Sequence, residues 1–206
     1  MNHAITVTEN QPTSALINIY PATADRWYDL ETLFGESGAY AGCWCMFWRL
    51  ERSLFRQLKG DGVRNLLKSM VDAGQEPGLL AYMDGQPVGW CSFGPRESFQ
   101  GLENHSVLKR VDNQSVWSVV CFFVRPENRQ QGVAQALLQA AIEYARSHGA
   151  RILEGYPIDM AAPCLSGQRL DSLKAYMGVV SLFSRMGFVQ VGQPSEMQRI
   201  MRLTLS

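Results

Sequence analysis

The run from Ser115 to Ser147 constrains the fold more than any other part of the chain. Ser115 to Val124 reads SVWSVVCFFV, rich in β-branched and aromatic residues, and predicts a buried strand. A polar loop follows Arg125-Pro126. From Gln131 to Ser147, Val133, Ala136, Leu137, Ala140, Ala141 and Tyr144 fall on one face of a helix, with Gly149 placed to end it. Arg151 to Tyr156 reads as the next strand, stopped by Pro157. Strand, helix and strand in that order imply a parallel pair with a right-handed crossover.

The flanks read as antiparallel. Ala15 to Tyr20 is a short strand, and Pro21 to Asp25 lead into a helix with Trp27, Leu30, Leu33 and Phe34 on one face. A second helix spans Val63 to Ala73 and ends at Gly74. Gly78 to Met83 and Gln86 to Phe93 form a hairpin about Asp84-Gly85, a pair that tolerates positive φ. Residues 97–114 read as loop with some helix. Pro163 to Gln168 is loop, helix resumes from Asp171 to Met186, and Phe188 to Val191 and Arg199 to Leu205 are the last strands. The fold class is therefore α/β: one domain over residues 15–206, with a mixed, mostly antiparallel sheet flanked by helices and a loose tail over 1–14.

Composition narrows the partners. A chain of 206 residues suits one sizeable core, and 46% hydrophobic against 18% charged residues excludes a disordered chain. Nineteen basic residues balance nineteen acidic ones, so the basic excess typical of nucleic-acid binding is missing. The longest apolar run, Val116 to Val124, falls well short of the ~20 residues of a membrane helix. Met1 to Tyr20 lacks the regions of a secretory signal. A cytoplasmic location without nucleic-acid or membrane partners is expected, and a homodimer stays open. The five cysteines are odd in number and scattered. Cys43 and Cys45 form a C-x-C pair that no second pair or nearby His completes into a zinc site, so no metal is expected and reduced thiols in or near the core are the simpler reading.

The chemistry-bearing segment is the loop between Val124 and the helix. The first turn of a helix offers amides without internal partners and a partial positive charge. Gly132 lacks a Cβ, so a ligand can approach the backbone there. Together these suit a phosphate or pyrophosphate. No Gly-Lys-Ser/Thr and no G-x-G-x-x-G occurs, which excludes the Walker and dinucleotide patterns. What remains is Arg129-x-x-Gly132-x-Ala134.

Val124-Arg125-Pro126 followed by Arg129-Gln130-Gln131-Gly132-Val133-Ala134 resembles the acyl-CoA site of the GNAT N-acyltransferases. Ile19-Tyr20-Pro21-Ala22-Thr23 with Asp25 is similar to that family's first strand and helix entry, and Pro87-Val88-Gly89-Trp90 to its second hairpin. Ser184-Arg185-Met186-Gly187-Phe188 is similar to its late helix-to-strand junction. The resemblance covers roughly residues 15 to 205 in order.

It implies transfer of an acetyl group from acetyl-CoA to a primary amine, a small-molecule amine in the first instance, by direct attack in a ternary complex. The cofactor would lie where the strand ending at Val124 diverges from the strand beginning at Arg151. Backbone groups of Phe122, Phe123 and Val124 would pair with pantetheine, one N–H among them facing the developing oxyanion. Amides from Gln130, Gln131, Gly132, Val133 and Ala134 would hold the pyrophosphate, and Arg129 would add a charge-assisted contact. A carboxylate amid apolar strand residues needs a partner or a function, so Glu154 is the first candidate base, with a structural salt bridge as its alternative. Asp159 and Tyr156 follow closely.

The chain departs from the family at the acid. Phe183 stands where many members have Tyr and cannot donate a proton. Tyr176 is the candidate in its place, or a core aromatic. If no acid is present, a non-catalytic acyl-CoA sensor or adaptor on the same fold is the alternative. In Gly42-Cys43-Trp44-Cys45-Met46-Phe47-Trp48-Arg49, which falls in the family's acceptor wall, Trp44, Trp48 and Arg49 are candidates to grip an aromatic or carboxylate-bearing acceptor, with Trp90 facing them. The alternative is that the Trp residues fill core. Cys43 or Cys45 as an acyl-carrying nucleophile has no His close in sequence to activate it.

Overall fold

The computed structural model describes residues 16–165 and 175–206. The expected N-terminal tail, 1–14, lies outside them. The described chain builds one seven-stranded sheet in the order β1-β2-β3-β4-β5-β7-β6. Its strands are β1 (Ile17–Pro21), β2 (Gly78–Met83), β3 (Gln86–Pro95), β4 (Trp117–Val124), β5 (Ile152–Gly155), β6 (Val189–Gly192) and β7 (Ile200–Thr204). Every pairing is antiparallel except β4 with β5. The helix between those two, α5 (Val133–Ser147), is the crossover that the sequence requires.

The sheet is covered on both faces, and strand alternation sorts the side chains. Leu79, Ala81 and Met83 of β2 face α5, whose Val133, Leu137, Leu138 and Ala141 are buried against them. Leu80 and Tyr82 face the other way, into a core with α1 (Trp27–Phe34) and α3 (Asp61–Asp72). α5 sits close on β3. A Cβ on Gly89 would come within 2.6 Å of a Val133 methyl, so only glycine allows this approach.

Two elements differ from the sequence reading. α2 (Arg52–Leu58) was not expected and carries the buried Phe55. A single helical turn, α4 (Gln100–Glu103), lies in the stretch read as loop with some helix. The helix expected from Asp171 to Met186 is shorter. Its first four residues lie outside the described ones, Ala175 to Val179 are non-helical, and only α6 (Val180–Arg185) is helix. Gly178 adopts φ +87°, and Val179 bridges to Ile158 as a strand residue would. These backbone choices stop the helix from extending back.

Candidate functional site

β4 and β5 pair only over Trp117–Val119 and Leu153–Gly155. Beyond Val119 the two strands separate, and the edge of β4 from Val120 to Val124 has no β5 partner. The Arg125 amide donates across to Val88 O at 3.0 Å. Strand alternation then turns the Val124 amide and carbonyl away from β3, toward the gap. The Phe122 amide points into the same gap and donates to the Tyr176 carbonyl at 2.6 Å.

The loop after β4 leads to α5 through two left-handed residues, Gln130 (φ +62°) and Gly132 (φ +84°). The first helical bond runs from the Ala136 amide to Gly132 O. The amides of Val133, Ala134 and Gln135 therefore precede the intrahelical ladder. Arg129 folds back so that its Nε donates to Val124 O at 3.1 Å.

A cavity of about 850 Å³ joins these parts. One end is lined by Pro126, Arg129 and Ala134, its middle by Phe122, Phe123, Val124, Tyr176, Val179 and Leu182. The other end is lined by Tyr40, Phe47, Trp48, Phe55, Lys59 and the thiols Cys43, Cys45 and Cys121. Its charged lining residues, among those described, are Arg129 and Lys59. Cys45 Sγ and Cys121 Sγ lie 3.3 Å apart. Burial, with the Cys45 thiol beside it, pushes Cys43 up to about 11. Burial also raises Tyr176 above the ordinary phenol range, while the Trp48 indole N–H opposes it. That N–H faces the phenol side without closing a hydrogen bond, and Trp48 Nε1 is buried with no partner among the described residues.

Of the nominated cofactor residues, Phe122, Phe123, Val124, Arg129 and Ala134 line the cavity. Gln130, Gln131 and Gly132 form the turn into α5, and the Val133 side chain goes into the core. The Phe122 amide is spent on Tyr176 O, which leaves the Val124 amide as the strand-edge donor turned toward the gap.

Glu154 is a correction. It is fully buried and away from the cavity lining. Its Oε1 accepts from Arg96 Nη1 at 2.8 Å and from the Tyr156 hydroxyl at 2.6 Å, and its Oε2 from Arg202 Nε at 2.7 Å. A carboxylate enclosed by two guanidiniums serves as a structural hub, not as a base facing an acceptor. Tyr156 belongs to the same hub, accepting from Arg96 Nη1 at 2.8 Å and bonding Ser118 as well, and Asp159 pairs with Arg199 at 2.7 Å.

The aromatic candidates divide. Trp48 and Tyr176 line the cavity. Trp44 instead stacks on Trp27 at 6.2 Å, and Trp90 meets Phe34 edge-on with no exposure at all. Arg49 is also internal. It donates to Pro77 O at 2.8 Å and Phe93 O at 3.2 Å and lies over the Phe99 ring, with burial pushing it down to about 10. Those three tie the segment over residues 44–49 to α1 and β3. Phe183, with zero exposure, packs against Phe122, Phe188 and the bare backbones of Gly155 and Gly178. Missed by sequence reasoning were Tyr40, Phe55, Lys59 and Cys121. Leu54, Phe55 and Leu58 carried a helical spacing that would have found α2, and alternation along β4 puts Cys121 with Phe123.

A mixed sheet opened at its one parallel pair, with a helix N-terminus beside the opening, defines an acetyltransferase-type α/β fold. Solved structures share it. An acetyltransferase of the GNAT family from Streptococcus pneumoniae superposes with TM-score 0.53 at 16% identity, over 93% of this chain and all of that one. PaiA N-acetyltransferase from Thermoplasma acidophilum, in complex with coenzyme A, gives 0.51 at 13%, over 92% and 99%. YncA from Salmonella typhimurium, solved with its cofactor acetyl-CoA, gives 0.50 at 18%, over 92% and 94%. No curated protein matches the chain in sequence. The model of the acetyltransferase (GNAT) family matches residues 42–158, and the chain belongs to that family. Among the described residues no helix is long and apolar enough to cross a membrane, and no group of metal-ligating side chains is assembled.

Proposed function

We propose that this chain is an N-acetyltransferase that moves an acetyl group from acetyl-CoA to the primary amine of a small molecule. The observation that carries the reading is the continuous cavity of about 850 Å³, running from the first turn of α5 past the open edge of β4 to an aromatic wall.

The residues at its α5 end fit an anionic donor. Amides of Val133, Ala134 and Gln135 stand outside the intrahelical ladder, the helix dipole adds positive charge, and a Cβ on Gly132 would meet nothing within 4 Å. Arg129 adds a guanidinium there. Acetyl-CoA supplies a thioester carbonyl, to which an amine adds and from which a thiol leaves. The Val124 amide is the backbone donor for charge developing on that carbonyl. Tyr176, protonated at neutral pH as a phenol is, gives the proton that the departing thiolate needs, and the proton that the amine sheds on becoming an amide passes to solvent water, from which the phenol is restored. In the family pattern that role falls on the position of Phe183, which here is core.

Titration calorimetry with acetyl-CoA, followed by thiol-release assays over an amine panel, tests this. Saturable binding with amine-dependent thiol release is expected. Absence of binding up to millimolar acetyl-CoA overturns it, and binding without release from any amine assigns the chain to the sensor alternative.

A further inference from the structure

The acceptor end of the cavity has its own chemistry. Phe47 meets Trp48 edge-to-face at 4.9 Å and Phe55 at 5.3 Å, so three rings form one continuous wall. Such walls favour another aromatic ring, through offset or edge contacts, over a hydrated aliphatic chain. Trp48 is only 5% exposed, yet its Nε1–H lacks a hydrogen-bond partner among the described residues. Buried donors are normally paired, and this one faces the Tyr176 hydroxyl without closing a bond, so an acceptor atom on a ligand that enters between the two side chains would complete it. Charge points the same way. With Arg129 engaged by the anionic donor at the far end, the described charged residue at this end is the cation Lys59, which repels a polycation more than a monoamine.

Resting on the acetyltransferase reading, we propose that the acceptor is an aromatic monoamine whose ring lies against Phe47, Trp48 and Phe55. An oxygen substituent on that ring accepts the hydrogen bond of Trp48 Nε1. Polyamines and aminoglycosides are disfavoured, because neither can cover the ring wall and both bring several charges of the same sign as Lys59.

The test measures binding directly, by calorimetry on the full chain with and without coenzyme A. Coenzyme A alone is titrated first, so failure of the donor site is read separately from failure of the acceptor inference. The amine probes are 4-methoxyphenethylamine, phenethylamine, spermidine and kanamycin. Tighter binding of the two aryl amines than of spermidine or kanamycin is expected, with the methoxy compound ahead of phenethylamine by roughly tenfold, about the worth of one good hydrogen bond. Trp48→Phe keeps a ring and removes the N–H. It should bring the methoxy and phenethyl compounds to equal affinity even where the smaller ring weakens both, a change in ratio that a merely structural defect would not give. Spermidine or kanamycin binding as tightly as the aryl amines overturns the proposal. So does an unchanged methoxy preference in Trp48→Phe, or no aryl amine binding in a protein that binds coenzyme A.

Discussion

The Phe122 amide and the Tyr176 carbonyl meet at 2.6 Å across the gap that opens between β4 and β5. This bond fixes the segment behind the gap to the free edge of β4 and sets the Tyr176 ring on the cavity wall beside Trp48. It also takes out of use one of the amides between Phe122 and Val124 among which the sequence places a donor, leaving that of Val124 facing the opening.

Tyr176→Phe keeps the backbone bond and removes only the hydroxyl. Loss of a positioned general acid lowers kcat by about 10²- to 10⁴-fold. Acetyl-CoA affinity should hold within about threefold, because the α5 turn is untouched. Steady-state kinetics and calorimetry on the same preparation check this. With the phenol's pKa raised by burial, the wild-type rate should show no loss from this group as pH rises to the ordinary phenol value near 10. A Phe variant with wild-type kcat removes Tyr176 from the mechanism.

Glu154→Gln separates hub from base. One side chain satisfies Arg96, Arg202 and Tyr156, and removing its charge leaves Arg96 with Glu103 and Arg202 with Asp112, two more exposed carboxylates, as their remaining acidic partners. Leaving a buried charge wholly unpaired costs about 3–5 kcal/mol, and the second carboxylate on each guanidinium brings the expected loss below that. Urea denaturation should show that loss, while kcat/KM of the folded fraction stays near wild type. A catalytic base would give the opposite result, unchanged stability with a large drop in rate. Asp112 closes the hub from outside through Arg202, at 2.6 Å, and its carboxyl is held well below the usual range by that guanidinium. Its depressed pKa contributes stability above about pH 4 that disappears as pH falls further. Asp112→Asn should therefore flatten the acid limb of the stability curve.

How much of this could be read in the sequence follows from the range of each interaction. The strand ending at Val124, helix α5 and the hairpin at Asp84-Gly85 are local patterns, so periodicity and turn chemistry revealed them. The turn at Gly132 was legible because helix entry is local too. Glu154 was legible as an anomaly but not as a hub, since Arg96 lies 58 positions away and Arg202 lies 48. Trp44, Trp48 and Trp90 look equivalent as letters. Only the packing of α1 and the loop after it sends two inward and leaves Trp48 on the cavity. The end of α6 was misplaced because Gly178 and the Ile158–Val179 bridge are tertiary choices that override helical periodicity.

Gly132→Ala probes the turn itself. The added methyl has space, so its cost is conformational: a left-handed φ of +84° disfavours alanine by roughly 1–2 kcal/mol. Thermal denaturation should show that loss in free protein. Coenzyme A affinity should fall in the same variant, because relief of the strain rotates the amides that follow. If stability drops and affinity does not, those amides are not the anion site.

The thiol cluster gives a pH-dependent readout. The folded pKa of Cys43 is raised from its ordinary 9.0 to about 11, mainly by burial. A raised folded pKa means that the fold favours the neutral thiol. That contribution is fully present below pH 9 and is lost as pH climbs through about 11. At pH 7.5 iodoacetamide should modify exposed Cys164 first, and Cys43 should gain about tenfold in rate per pH unit until its pKa is reached. Cys45 and Cys121, with sulfurs 3.3 Å apart, come from segments 76 positions apart. Oxidised glutathione should join them in two exchanges: Cys121, the less buried, forms the mixed disulfide, and Cys45 displaces the glutathione thiol. Peptide mapping would show a 45–121 link that dithiothreitol reverses. A link between Cys43 and Cys45 instead would mean that the loop carrying them leaves β4 before it oxidises.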